Sequence, residues 1–173
     1  KVLRQAEALS ISDRVVVMTE MAREMLMRIY AIPSHKVAII PHGIPDVPFV
    51  EPCFFAEQFG CEGRTVLLTF GLLSPGKGIE TAIRAMPEIV ARFPDVLYIV
   101  LGATHPHIVR QEGNAYRDRL MSLVRELGLE NHVRFESRYV GIDELCRYIG
   151  AAEVYITPYP QEQQITSGTL AYA

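Results

Sequence analysis

The residues of this sequence best suited to chemistry lie in the stretch TFGLLSPGKGIETAIRA, residues 69–85. Gly71, four intervening residues, Gly76 and Lys77 fit the pattern of an ATP-binding P-loop, which requires Ser or Thr at the next position. That position is Gly78, which has no hydroxyl to hold magnesium. A strand that leads through a glycine-containing turn into a helix still offers backbone N–H groups and a positive helix end to an anion. Because a merely tight turn would explain the glycines but not the lysine, the stretch predicts phosphate binding without a metal.

The elements around this loop alternate between short apolar runs and longer helical patterns. Near-continuous runs of β-branched and other apolar residues are typical of strands buried on both faces, and they predict strands at 14–19, 36–41, 65–71, 96–102, 132–137 and 153–159. Helical spacing of apolar residues predicts helices near 20–31, 78–92, 113–128 and 142–151. We expect Thr19 to cap the first helix and Pro87 to kink the second. The alternation predicts an α/β protein with a doubly wound, parallel sheet.

Composition excludes several other classes of protein. The chain has 173 residues, of which 49% are hydrophobic and 21% charged, as in an ordinary globular protein. A net charge of −3 and the lack of any Lys/Arg run argue against a nucleic-acid partner. No apolar run reaches the length of a membrane span, and no signal-peptide pattern is present. The three cysteines form no CxxC pair, which favours reduced thiols and a cytoplasmic location.

A proline-rich segment interrupts the alternation of strands and helices. Residues 39–55, IIPHGIPDVPFVEPCFF, carry four prolines and read as an extended linker. We therefore expect a domain boundary there, with one unit at 1–45 and another at 46–173. The absence of an initial methionine and the ending TLAYA suggest an excerpt from a longer protein.

Several motifs in one order resemble the retaining GT-B glycosyltransferases of family four, which use nucleotide-sugar donors. VAIIPHGI is similar to the interdomain hinge of that family, and FGLLSPGKGIETAIRAM to its GRLxxxKGxxxLixA loop and helix. LYIVLG and ELGLENHVRFESRYV resemble the strands that follow, and DELCRYIGAAEVYITPYPQEQQITSGTLAYA the stretch leading into the donor-site glutamates. The resemblance covers nearly the whole chain. It implies that residues 1–45 end an acceptor domain with its hinge, and that 46–173 form most of a Rossmann-like donor domain, truncated at its C-terminus.

By this resemblance, Gly71 and Lys77 would hold the diphosphate of the donor, and Glu162 would contact the donor sugar and stabilise positive charge in the transition state. Two positions depart from the family pattern. Leu72 stands where the family has an arginine, and Leu170 where it has the second glutamate of an E-x7-E motif that holds the ribose. Glu162 also remains open to a second interpretation, a surface residue in a polar loop.

The run ITSGTL, residues 165–170, also differs from the GLVxLE-like run of the family. Thr166, Ser167, Gly168 and Thr169 are typical of a helix N-terminus, where small residues let backbone N–H groups approach phosphate oxygens. An ordinary helix cap would have the same sequence. His42, in the hinge, is most simply a structural residue.

Two further loops follow predicted strands at the edge where doubly wound sheets bind ligands. His105 and His107 are a weak metal signal without a nearby carboxylate or thiol pattern, and we expect His105 to contact the donor instead. Ser137, Arg138 and Tyr139 lie where the resembled family packs the nucleobase, so Arg138 and Tyr139 are candidate contacts; a solvent-facing strand end is the alternative.

The methionine-rich segment EMAREMLMRIY raises the question of membrane association. Met21, Met25, Leu26 and Ile29 form one apolar stripe, which predicts an ordinary core face. Arg23 and Arg28 are too few for a basic membrane-binding face.

The resemblance implies a metal-independent hexosyl transfer, with retention, from a nucleoside-diphosphate sugar to an acceptor hydroxyl. The acceptor would be a sugar, a lipid-linked sugar or a small molecule, and no cofactor beyond the donor is implied. A nucleotide-sugar epimerase and a degenerate nucleotide-sugar-binding module are the alternatives, the latter favoured by Leu72 and Leu170. With only half a cleft, the 173-residue chain alone is expected to be inactive.

Overall fold

The structure is a computed structural model that describes residues 2–161 and 167–173. Its helices are α1 (Val2–Ile11), α2 (Glu20–Tyr30), α3 (Cys53–Ala56), α4 (Ile79–Arg92), α5 (Pro106–Glu112), α6 (Ala115–Glu126), α7 (Ile142–Gly150) and α8 (Gly168–Tyr172). Its strands are β1 (Val15–Val17), β2 (Val37–Ile39), β3 (Thr65–Phe70), β4 (Val96–Leu101), β5 (Val133–Glu136) and β6 (Val154–Tyr155). Short 3-10 helices cover Ser34–Lys36, Glu57–Phe59 and Pro75–Lys77.

The described residues divide into two compact units. The first contains residues 2–45 and 167–172, and the second contains residues 46–161 and Ala173. The division after residue 45 falls within the proline-rich segment. Assignment of these units to an acceptor-side domain and a donor domain stays a prediction.

In the first unit, β1 and β2 form a parallel pair with Val15 opposite Val37. Thr19 caps α2 as expected, because its Oγ1 accepts a hydrogen bond from the N–H of Ala22 at 3.1 Å. The core of this unit is small and consists of Val17, Ile32 and Val37, with Leu26 among the side chains that pack against it.

The predicted core face of α2 is wrong at two of its four positions. Met21 is 64% exposed and Ile29 is 55% exposed. The residues of α2 that pack on the core are Ala22, Leu26 and Tyr30. These are spaced four apart, so they lie on one face, and Met21 and Ile29 are each rotated about 100° from a member of that face.

The second unit is built on a four-stranded parallel sheet in the order β5-β4-β3-β6. Thr65 pairs with Val96 at one end of the central strands and Phe70 with Leu101 at the other. Strand β4 is buried along its whole length, as its continuous apolar run predicts. Helices α4 and α6 cover one face with buried side chains that include Ile83 and Leu120. The predicted α/β architecture is confirmed.

Strand β6 is much shorter than its apolar pattern predicts. It pairs with β3 only at Val154 and Tyr155. Two further backbone bonds run from the N–H of Glu153 to the carbonyl oxygen of Val66 and from the N–H of Ile156 to that of Leu68. Pro158 and Pro160 lack the N–H groups that would continue the ladder. The chain therefore leaves the sheet and runs past the loop at 71–78.

Helix α4 carries the most regular apolar face of this unit. Ile79, Ala82, Ile83 and Met86 are buried, and the helix is continuous through Pro87 to Arg92. The proline ends neither the helix nor its hydrogen bonding: the N–H of Phe93 still bonds the carbonyl oxygen of Ile89 at 2.8 Å.

One arginine joins the amino ends of three strands. The guanidinium of Arg64 donates to the carbonyl oxygens of Asp95 at 2.8 Å, Val96 at 2.9 Å and Asn131 at 2.9 Å. Arg64 precedes β3, and its partners lie at the starts of β4 and β5. Charge-assisted bonds to three carbonyls hold this end of the sheet together.

Candidate functional site

The carboxyl ends of β3 and β4 meet at two glycines. Gly71 has φ +115° and Gly102 has φ +144°, and the N–H of Gly71 donates to the carbonyl oxygen of Leu101 at 3.0 Å. A β-carbon on Gly102 would overlap the carbonyl oxygen of Gly71. The two backbones are thus in direct contact, which only glycine permits at residue 102.

Beyond Gly71, the chain forms a tight turn before α4. The N–H of Lys77 donates to the carbonyl oxygen of Ser74 at 2.9 Å, which closes the short 3-10 helix. Gly78 then adopts φ +65° and ψ +25°, and α4 begins at the next residue. The turn therefore places a lysine immediately before the positive end of a fourteen-residue helix.

The ammonium group of Lys77 lies against the segment that leaves β6. Its Nζ is 3.2 Å from the phenolic oxygen of Tyr159 and 5.2 Å from the centroid of that ring. The hydroxyl oxygen accepts a hydrogen bond, and the ring offers a cation–π contact. Both residues are half-buried.

His105 lies at the same edge of the sheet as the turn. Its N–H donates to the carbonyl oxygen of Leu73 at 2.9 Å, so the backbone joins it to the 71–78 loop. Its Nδ1 accepts from the N–H of His107 at 3.1 Å and caps α5. The histidine pair thus has a structural role at a helix start, and its expected contact with the donor stays a prediction.

Across residues 2–161 and 167–173, no group of three His, Cys, Asp or Glu side chains is arranged to hold a metal ion.

Arg138 and Tyr139, which follow β5, differ in their surroundings. The guanidinium of Arg138 pairs with both carboxylate oxygens of Glu144, with one N–O distance of 2.9 Å. This pairing raises the pKa of Arg138 and lowers the pKa of the Glu144 carboxyl. Tyr139 is 84% exposed. A donor that bound the guanidinium of Arg138 would share this group with the carboxylate of Glu144.

The C-terminal candidates belong to the first unit or lie outside the described residues. Glu162 and Thr166 are among the latter, and their roles remain predictions. Ser167 caps α8, since its Oγ accepts from the N–H of Leu170 at 3.2 Å and lies 3.0 Å from Oγ1 of Thr169. A helix start at this point was expected, and Gly168 is its first residue.

Within the first unit, Gly168 lies beside His42. A β-carbon at residue 168 would be 3.5 Å from Cε1 of the His42 ring. Whether Gly168 and Thr169 contact phosphate stays a prediction, because a helix of five residues is no anion site by itself.

Leu72 and Leu170, the two departures from the resembled family, are both solvent-accessible. Leu72 is 41% exposed and Leu170 is 56% exposed. Neither apolar side chain is needed to fill a core, so neither replacement is explained by packing.

Two residues at the loop were missed by sequence reasoning. Tyr159 contacts Lys77 through its hydroxyl, and the hydroxyl of Tyr116 lies 3.0 Å from the carbonyl oxygen of Ser74. A tyrosine in an amphipathic helix or beside a strand has the sequence signature of a core residue, so nothing local indicated these contacts.

Comparison with known proteins decides the family. Residues 54–163 match the family described as glycosyl transferases group 1. The chain belongs to this family. The match includes the loop, Lys77 and the segment that leaves β6, so the resemblance drawn from the motifs is confirmed.

Relatives of known sequence are glycosyltransferases that are longer than this chain. A GDP-mannose-dependent alpha-(1-6)-phosphatidylinositol monomannoside mannosyltransferase of Mycolicibacterium smegmatis is 30% identical over 102 residues, 59% of this chain and 24% of its own length. A D-inositol 3-phosphate glycosyltransferase of Kineococcus radiotolerans is 28% identical over 170 residues, 94% of this chain and 38% of its own length. The chain thus spans less than two fifths of these relatives.

Solved structures share the fold. Sucrose-phosphate synthase from Thermosynechococcus elongatus superposes with a TM-score of 0.73 at 24% identity, over 91% of this chain and 38% of its own. The Anabaena protein HepE, in complex with UDP and glucose, superposes with a TM-score of 0.66 at 19% identity, over 86% of this chain and 38% of its own. These likenesses confirm the Rossmann-like GT-B fold predicted from the sequence.

No helix in the described part of the chain is both long and apolar enough to cross a bilayer.

Proposed function

We propose that the protein containing this chain transfers a hexosyl unit from a nucleoside-diphosphate sugar to an acceptor hydroxyl, with retention and without a metal ion. The observation that carries the proposal is the position of Lys77 in a tight turn directly before α4. An ammonium group and a helix N-terminus there neutralise the charge that develops on the leaving diphosphate. This is the role that a metal ion has in other phosphate sites.

The remaining roles follow the family. Gly71 brings backbone close to the diphosphate, His105 borders the donor, and Arg138 with Tyr139 borders the base. Glu162 contacts the sugar, and residues 166–169 contact phosphate oxygens. The acceptor is a sugar, a lipid-linked sugar or a small molecule; relatives named for phosphatidylinositol and inositol phosphate support testing inositol-containing acceptors first.

The proposal is tested by calorimetric titration of the intact protein with UDP, GDP, ADP and their sugars, each with and without magnesium. We expect one diphosphate to bind independently of magnesium and Lys77→Ala to weaken it by at least tenfold. Lys36→Ala is the matched control, because Lys36 lies in the first unit and donates to the carbonyl oxygen of Ser12 at 3.1 Å. Binding that requires magnesium and favours ATP would contradict the proposal.

A second candidate function is a nucleotide-sugar-binding module without turnover. The exposure of Leu72 and Leu170 favours it, because the family keeps charged donor ligands at these two positions. Product analysis separates the candidates: donor binding without transfer to any acceptor, and without hydrolysis of the donor, identifies the module. The isolated 173-residue chain is expected to bind but not to turn over.

A further inference from the structure

Tyr116 is a buried residue of α6 whose hydroxyl faces the candidate site rather than the core. The side chain is 1% exposed. Its hydroxyl lies 3.0 Å from the carbonyl oxygen of Ser74 and 3.1 Å from Oε2 of Glu80. Both acceptors belong to the segment around Lys77, one before the lysine and one after it. The hydroxyl has one proton, which it shares between the two ends of the turn.

The Ser74 carbonyl is also the group that closes the turn. It accepts the backbone N–H of Lys77 at 2.9 Å. One oxygen atom thus accepts from both the lysine backbone and the tyrosine. Its position, and with it the direction in which the lysine leaves the backbone, depends on the tyrosine that holds it.

Glu80 fixes the other end of the turn. It lies in the first turn of α4, where a carboxylate is favoured by the helix dipole. Burial and the Glu80 carboxylate both raise the pKa of Tyr116, so the hydroxyl keeps its proton and remains a donor. The rest of the ring is ordinary core, packed in the cluster that contains Ile83 and Leu120.

We propose that Tyr116 is a positioning residue for the lysine that binds the donor diphosphate. It acts through the carbonyl of Ser74 and the carboxylate of Glu80 and does not touch the donor itself. This inference rests on the proposed function of Lys77. According to this inference, the hydroxyl of Tyr116 contributes to the affinity for the donor. A buried side chain without contact to the donor would not otherwise be expected to do so.

The test uses Tyr116→Phe in the intact protein, because phenylalanine fills the same space and removes only the hydroxyl. Tyr98→Phe is the matched control. Tyr98 is also fully buried, and its hydroxyl donates at 2.8 Å to Oγ1 of Thr69, within the sheet. Both variants lose one buried hydrogen bond, so both are expected to lower the melting temperature to a similar extent.

Two measurements distinguish a positioning role of Tyr116 from a general loss of fold stability. We expect Tyr116→Phe to raise the Kd of the nucleoside diphosphate about three- to tenfold, as the loss of one hydrogen bond in the turn implies. We also expect faster hydrogen exchange of the Lys77 amide, which bonds the Ser74 carbonyl. Tyr98→Phe is expected to change neither.

Equal losses of affinity in the two tyrosine variants would overturn the inference, since the effect would then come from stability. Unchanged affinity or unchanged Lys77 exchange in Tyr116→Phe would overturn it as well. Lys77→Ala, measured in parallel, identifies which claim fails. If Lys77→Ala loses binding and Tyr116→Phe does not, only the inference about Tyr116 is contradicted. If Lys77→Ala binds the diphosphate as the unaltered protein does, the proposed function is contradicted as well.

Discussion

Gly78 lies against the carbonyl group of Pro158, so close that a β-carbon at residue 78 would overlap the carbonyl oxygen. The contact joins the start of α4 to the segment that leaves β6. The same segment supplies Tyr159, whose hydroxyl lies 3.2 Å from Nζ of Lys77. The missing side chain at residue 78 thus lets the chain after β6 approach the lysine.

We expect Gly78→Ala to destabilise the fold by about 2–4 kcal/mol, the sum of a left-handed backbone and a steric overlap with backbone atoms. Gly60→Ala is the matched control. Gly60 has a similar backbone, φ +58° and ψ +48°, but no atom within 4 Å of a β-carbon. It is expected to cost about 1 kcal/mol. Denaturant unfolding measures both, and equal losses would contradict a role for the contact with Pro158.

Thr69 connects β3 to β4 and to the residue after β6 through the hydrogen bonds of its hydroxyl. Its Oγ1 donates to the carbonyl oxygen of Ile156 at 2.7 Å and accepts from Tyr98 at 2.8 Å. We expect Thr69→Val to cost about 1–3 kcal/mol, because it leaves two buried polar groups without this partner.

A double-mutant cycle tests this coupling. Thr69→Val combined with Tyr98→Phe should cost less than the sum of the single changes, since the second removes a group that the first leaves unsatisfied. Strict additivity in the free energy of unfolding would show that the two hydroxyls act independently.

Cys61 should resist alkylation at pH 8. It is 1% exposed, and burial raises the pKa of its thiol, so less of it is thiolate than of an ordinary cysteine. Cys53 is exposed and serves as the internal comparison. Iodoacetamide followed by peptide mass spectrometry should modify Cys53 first; labelling of Cys61 at an equal rate would contradict its burial.

The Arg138–Glu144 pair should make stability depend on pH in the acid range. Because the pKa of the folded Glu144 carboxyl lies below 4.5, the pair stabilises the fold above about pH 4.5, and this stabilisation is lost as the pH falls through the folded value.

We therefore expect the melting temperatures of the unaltered protein and Glu144→Gln to differ at pH 6. The difference should shrink as the pH falls through the folded pKa of Glu144, which the hydrogen bond from Arg138 holds below its ordinary value. Glu88→Gln, which removes an exposed pair with Arg92 on α4, provides the baseline. A difference that stays constant from pH 6 through the whole acid range would show that Glu144 acts through packing rather than charge.

The sequence predicted the elements with strong local patterns. The expected strands at 65–71 and 96–102 and the helix at 78–92 agree with β3, β4 and α4 to within one residue. A continuous apolar run or a regular apolar face fixes these elements locally. Helix α5 was not predicted, because its seven residues begin with a proline and have no apolar face long enough to recognise.

Local sequence patterns did not predict the long-range contacts. The loop at 71–78 was identified as a candidate phosphate site from its glycines and lysine. Its contacts with Tyr116 and Tyr159 depend on how α6 and the chain after β6 pack, which no local pattern specifies. The error at Met21 and Ile29 has the same origin: a helical stripe indicates an apolar face, but not how much of it a small two-stranded sheet can cover.

The guanidinium of Arg64 and its three carbonyl partners, called the clamp below, have a consequence for which residues of such a domain can change. The three carbonyl partners lie at the amino ends of the strands, roughly 20 Å, six residues of β-strand, from the edge that carries Lys77. Stabilisation by Arg64 and the proposed ligand contacts are therefore located at opposite edges of one sheet. Loops at the lysine edge can exchange residues, as Leu72 illustrates, while the clamp keeps the strands in register. Such a scaffold suits libraries that randomise the loops at the lysine edge and leave residue 64 untouched.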